Sequence, residues 1–93
     1  MLEAKSELKT ESASKYLVQL FKHFAHKREV TYTETHGEIA FDFGTASLDA
    51  EPDTLKIFVT APDEESLGRA KSVVESHLLR FAFREKIETL HWH

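Results

Sequence analysis

Leu2, Ala4, Ser6 and Leu8 alternate with Glu3, Lys5, Glu7 and Lys9. This period-two pattern predicts a strand with one buried face, and its charged outer row suits a sheet edge, where charge discourages pairing with other molecules. Thr10 to Ser14 is rich in hydroxyl side chains able to accept from free helix N–H groups, which places the N-cap of a helix at Ser12 or Ser14. The helix then runs over Lys15 to Lys27, with a buried stripe of Tyr16, Leu17, Leu20 and Phe24 in which Phe21 and Ala25 share. At its C-terminal end the stripe gives way to Lys22, His23, His26 and Lys27.

The next stretch predicts an antiparallel meander of four strands. Thr35-His36-Gly37-Glu38 reads as a hairpin turn with Gly37 supplying positive φ, which pairs Val30 with Phe43, Tyr32 with Phe41 and Glu34 with Ile39. Phe43-Gly44-Thr45-Ala46 reads as a second turn, pairing Phe41 with Leu48 and Ile39 with Ala50. Glu51-Pro52-Asp53-Thr54 then sets Leu48 against Ile57 and Ala46 against Val59. The apolar positions fall on one face. The other carries Thr31, Thr33, Glu38, Ala40, Asp42, Thr45, Ser47, Asp49, Lys56, Phe58 and Thr60, a wet surface, so both helices belong on the opposite side.

Asp63 caps a second helix with Glu64 and Glu65 in its first turn, where the macrodipole favours carboxylates, and its stripe is Leu67, Ala70, Val74, Leu78 and Phe81. Leu79 and Phe83 would form an outer apolar pair, and with it a partner surface, if this helix continued through Arg84; the expectation is instead a break near Arg80 that folds Phe83 against the terminal strand and Trp92. Lys86 to His93 reads as a short terminal strand. The expectation is an α+β two-layer sandwich in the order strand, helix, four-strand meander, helix, short strand. That order resembles the TATA-binding-protein-like arrangement, also found in the C-terminal domain of phosphohexomutases, in which two helices cover one face of a curved sheet.

Composition narrows the function classes. A chain of 93 residues, 41% hydrophobic, has the material for one core, so residues 1–93 are expected to form a single domain. The absence of cysteine excludes disulfides, thiolate metal sites and a cysteine nucleophile. Neither a signal-peptide pattern nor an apolar run of membrane-spanning length is present, which gives a cytoplasmic expectation without a membrane partner. The formal charge of −4 opposes nucleic-acid binding, while six histidines make that charge sensitive to mild acid.

On a helical wheel His23 lies at the margin of the first buried stripe, and His26 lies further out with Lys15, Gln19 and Lys22. On the second helix His77 holds the corresponding margin, with Arg80 and Arg84 progressively further round. Helices lying side by side would set His23 against His77, with Lys22, Lys27, Arg80 and Arg84 around them. That makes a basic, imidazole-rich groove suited to an anionic small ligand or a metal-bearing one. Against it stands a purely structural reading, in which cations near helix C-termini offset the dipole and a marginal histidine is a satisfied core-edge residue. His23-x-x-His26 and His91-Trp92-His93 have chelating spacing, but neither matches a closed zinc motif, because Phe24 stands where a zincin has glutamate. With three glycines and neither a phosphate loop nor a nucleophile elbow, catalysis has little to build on. Ser72 and Ser76 near His77 lack oxyanion donors, and Asp42 and Asp49 are an acid–base pair only in solvent. No cofactor is expected.

Three stretches are similar to a known family as a set: Tyr16-Leu17-x-Gln19-Leu20-x-Lys22-His23-Phe24-Ala25-His26-Lys27, His36-Gly37-x-Ile39-x-Phe41-x-Phe43-Gly44 and His77-Leu78-x-Arg80-Phe81-Ala82-Phe83-Arg84-Glu85, with Trp92 near the end. The chain resembles the bacterial family called domain of unknown function 2218, over nearly its whole length. The resemblance implies no reaction. Some members are joined to flavin-dependent siderophore-interacting reductases, which implies an iron or ferric-siderophore context and such a reductase as a partner. The resulting expectation is a non-enzymatic accessory or ligand-binding domain with its site at Lys22, His23, His26, His77, Arg80 and Arg84. The alternatives are a small enzyme using His23 or His77 as acid–base, and a structural or dimerisation module. Phe58 and Ala40 on the wet face leave monomer and homodimer open.

Overall fold

The computed structural model describes residues 2–26, 29–81 and 92. They form five strands and two helices in the order β1 (Leu2–Lys9), α1 (Ala13–Phe24), β2 (Val30–Tyr32), β3 (His36–Phe41), β4 (Gly44–Glu51), β5 (Thr54–Ala61) and α2 (Glu64–Phe81). The predicted terminal strand and Phe83 lie outside the described residues, apart from Trp92, which packs against the core. No helix among the described residues is long and apolar enough to cross a membrane.

All strands pair antiparallel in one sheet of order β1-β5-β4-β3-β2. β1 is an edge, as its charge alternation predicts, and it is zipped to β5 from Leu2↔Ala61 to Lys9↔Thr54. Ala4, Ser6 and Leu8 point into the core while Glu3, Lys5 and Glu7 face water. Ile39, Phe41, Ala46, Leu48, Ile57 and Val59 make the buried sheet face. Leu17, Leu20 and Phe21 of α1 and Ala70, Val74 and Leu78 of α2 close over it, each with no exposed surface. Among the described residues, every buried side-chain nitrogen and oxygen has a hydrogen-bond partner.

The faces are as predicted, but two hairpin registers are not. Val30 pairs with Ile39 and Tyr32 with Gly37, so the β2–β3 loop is Thr33-Glu34-Thr35 rather than His36-Gly37. The reason is local chemistry. The Thr33 N–H donates to the His36 carbonyl at 2.7 Å, and the Thr33 hydroxyl accepts from the N–H groups of Thr35 and His36 at 3.3 and 3.2 Å. Gly37 therefore sits inside β3, where a Cβ would lie 2.4 Å from the Phe21 ring; close approach, not positive φ, requires the glycine. Likewise Phe41 pairs with Gly44 and Ile39 with Ala46, which makes Asp42-Phe43 the β3–β4 turn. Gly44 opens β4 with its missing Cβ directed at the Thr60 carbonyl, 2.5 Å away. The β4–β5 register is as predicted, with Ala46↔Val59 and Leu48↔Ile57.

α1 starts and ends earlier than its predicted span. Ser12 is the N-cap but makes no side-chain capping bond; instead the Thr10 hydroxyl accepts from the Ser12 N–H at 3.0 Å. The Ser14 hydroxyl donates to the Glu34 carbonyl at 2.6 Å, tying the helix start to the β2–β3 loop. Asp63 caps α2 as expected, its carboxylate accepting from the Ser66 N–H at 2.8 Å. That bond holds the Asp63 carboxyl below its ordinary value.

Candidate functional site

His23 lies on the last turn of α1 and His77 near the end of α2, and the seam between the helices brings their rings to 4.9 Å between centroids, tilted by 46°. His23 is exposed and His77 half-buried. The Nδ1 of His77 lies 2.7 Å from the Val73 carbonyl oxygen, one helical turn back. Because a carbonyl only accepts, Nδ1 carries the proton and the lone pair of a neutral His77 is on Nε2.

Aromatic side chains continue the surface away from this pair. Phe24 sits 5.1 Å from His77 and meets Phe41 edge-on at 5.6 Å, and Phe41 stacks parallel on Phe43 at 5.2 Å. The Arg69 guanidinium lies over the Phe43 ring, 4.7 Å from its centroid. Together with Val73 these residues line a groove of about 230 Å³ between the C-terminal part of α1, one side of α2 and the β3–β4 turn. Its walls are mostly apolar, with imidazoles at one end and a guanidinium at the other. Wider depressions exist, such as one of about 610 Å³ beside Lys9, Thr10, Glu11 and Asp53, but that one has Tyr16 as its sole aromatic.

The other predicted site residues fall differently. His26 lies beyond the end of α1, exposed, in a turn where its N–H reaches the His23 carbonyl at 3.4 Å, and it does not line the groove. Lys22 and Arg80 are exposed and do not line the groove. Arg84 and Lys27 are outside the described residues. Among the described residues no group of three or more histidine, aspartate and glutamate side chains gathers as a metal-ligand set.

Phe24, Phe41, Phe43, Arg69 and Val73 are the lining residues that site reasoning from the sequence missed. Arg69, Val73 and His77 follow one another at i, i+4 spacing, a signal that was present. Phe43 was hidden by the predicted register, which put it inside a strand instead of in the turn.

On the open sheet face, His36 donates from Nδ1 to the Asp49 carboxylate at 2.6 Å, and its Nε2 is 3.5 Å from Glu38. The hydrogen bond to Asp49 is the main cause that raises the His36 pKa above its ordinary value; desolvation, next in size, opposes it, and the Asp49 charge with the hydrogen bond and charge of Glu38 add to the rise. Asp42, the acid–base partner expected for Asp49, is in the turn at the opposite end of the hairpin.

The chain matches, over residues 5–93, a family described as "Uncharacterized protein conserved in bacteria (DUF2218)". It is similar to the NMR structure of PA4090 from Pseudomonas aeruginosa, with 39% identity and a TM-score of 0.84, covering 100% of this chain and 96% of that one. No curated protein matches.

Proposed function

The chain belongs to the DUF2218 family of uncharacterised bacterial proteins, and from that premise we propose that it is a non-catalytic binding domain whose site is the groove between His23, His77, Phe43 and Arg69. The observation that carries this reading is the placement of the Arg69 guanidinium over the Phe43 ring, at the far end of an aromatic groove from two imidazoles. Aromatic walls accept a flat ring, and a guanidinium pairs with carboxylate or phenolate oxygens. A planar aromatic acid satisfies both. The family's association with siderophore-interacting reductases, implied by the resemblance, makes an aryl-bearing ferric siderophore the candidate physiological ligand and such a reductase the candidate partner. The same proposal sets it in the cytoplasm, where disulfides do not persist and a chain without cysteine forgoes nothing.

The test is titration of isotope-labelled protein with salicylate and 2,3-dihydroxybenzoate, followed by NMR shift mapping. Shifts should centre on His23, Phe43, Arg69 and His77, and Arg69→Ala should weaken binding by roughly tenfold, the worth of one charge-assisted hydrogen bond. No saturable shift, or shifts confined to the open sheet face around Phe58, would remove the groove from consideration.

A further inference from the structure

We infer that His23 and His77 form a two-imidazole site for a late first-row transition-metal ion, with the remaining coordination positions left to water or to a chelating ligand in the groove. The inference rests on the reading of this groove as a binding site and names the chemistry at its imidazole end.

Two observations carry it. The first is spacing. With metal–nitrogen bonds of about 2.1 Å and each nitrogen about 1.1 Å from its ring centroid, two imidazoles on adjacent positions of one ion have centroids roughly 4.5–5.2 Å apart. The His23 and His77 centroids are 4.9 Å apart. The second is the tautomer. A histidine that ligates through one nitrogen ordinarily donates its other N–H to a carbonyl or carboxylate, which fixes the ring and raises its basicity. His77 does this through Nδ1 to Val73, so in the neutral ring the lone pair that can bind a metal is on Nε2.

The surroundings are consistent with an exchangeable site. Two protein ligands leave a zinc, nickel or copper ion half-coordinated. The aromatic groove that begins at Phe24 and ends under Arg69 offers a flat chelating acid a place to complete the sphere. His26 is not part of this site: it is exposed past the end of α1 and does not line the groove.

The experiment uses the full untagged chain carrying His91→Ala and His93→Ala, which removes the other closely spaced histidine pair. Zinc, nickel and copper salts alone are titrated by calorimetry at about pH 7.5, above the ordinary histidine range. One ion should bind per chain, and the copper complex should show nitrogen hyperfine structure in its electron paramagnetic resonance spectrum. His23→Phe and His77→Phe, which keep a ring in each place, should each lower the affinity by at least about tenfold, the low end of what even outer-shell changes cost. His26→Ala and His36→Ala should leave it unchanged. A readout that needs no further variant is paramagnetic broadening by copper, which should be strongest at the His23 and His77 ring protons. Absence of stoichiometric binding, binding that survives both phenylalanine substitutions, or broadening centred on His26 or His36 would overturn the proposal. If metal fails while salicylate still shifts the groove, the metal site falls and the binding reading stands. If neither binds, both fall.

Discussion

Phe21 occupies the space that a side chain at Gly37 would need: three of its ring carbons lie within 2.8 Å of where a Cβ would sit. The ring has no freedom to give way, being fully buried and stacked on Tyr32 at 5.6 Å. Gly37→Ala is therefore overpacking in the middle of the core and should cost about 1–3 kcal/mol. Gly68 is the opposite case. It lies on the exposed side of α2 with nothing within 4 Å of its would-be Cβ, so Gly68→Ala should stabilise by about 0.5–1 kcal/mol through helix propensity. Urea melts of the two variants decide the matter, since equal effects of the same sign would refute the contrast. At the groove the same residue-level reasoning makes Phe43 a support for Arg69. Removing the ring takes away the face on which the guanidinium rests as well as an aromatic wall.

Among elements, what the sequence made legible was the face of each strand, and what it concealed was register. Val30, Tyr32, Ile39 and Phe41 alternate inward whether the turn is placed at His36-Gly37 or at Thr33-Glu34-Thr35, because the two pairings differ by an even number of residues and side chains keep their face. Glycine chemistry pointed to the wrong turns because Gly37 and Gly44 serve close packing, a property of partners distant in sequence, Phe21 and Thr60. The His23–His77 seam was legible because it depends only on helix periodicity and side-by-side packing. The aromatic half of the groove was not, since it depends on Phe43 lying in the turn. The observed β3–β4 register also makes a prediction. It sets His36 against Asp49, whereas the slipped one would put Asp49 against Ala40, with no imidazole to titrate. The pKa of His36 is raised in the folded state from 6.5. The stabilisation from its pairing is thus fully present below the unfolded value and is lost as pH rises through the folded one. Wild-type protein should melt above Asp49→Asn at about pH 6, and the gap should narrow as pH rises through the folded-state value. A gap that stays constant across that window would argue against the pairing.

For the whole molecule, sheet order and chain order together decide where the fold is strongest. β5 lies between β1 and β4, and β4 between β5 and β3, so the centre of the sheet is the β4–β5 hairpin with both helices packed over it. β1 joins it along its full length only when residues 2–9 meet residues 54–61, two stretches far apart in sequence. β2 is three residues long and, among the described residues, has a partner on one side only. Local opening should therefore grade across the sheet, since strands with few buried contacts and one free edge open without global unfolding. Amide hydrogen exchange should be slowest in Ala46–Leu48 and Leu55–Val59, limited there by global unfolding, and fastest among strand amides in Val30–Tyr32. The contrast also bears on assembly. Among the described residues nothing packs over the face carrying Thr45, Lys56, Phe58 and Thr60, and none pairs with the outer edge of β2, where a further strand could add. If β2 amides were protected as strongly as those of β5, and became less so on dilution, a second copy would have to be pairing with that edge. Exchange measured at two protein concentrations separates the outcomes: independence of concentration with a fast β2 corresponds to a monomer whose groove, between α1, α2 and the β3–β4 turn, is complete within one chain.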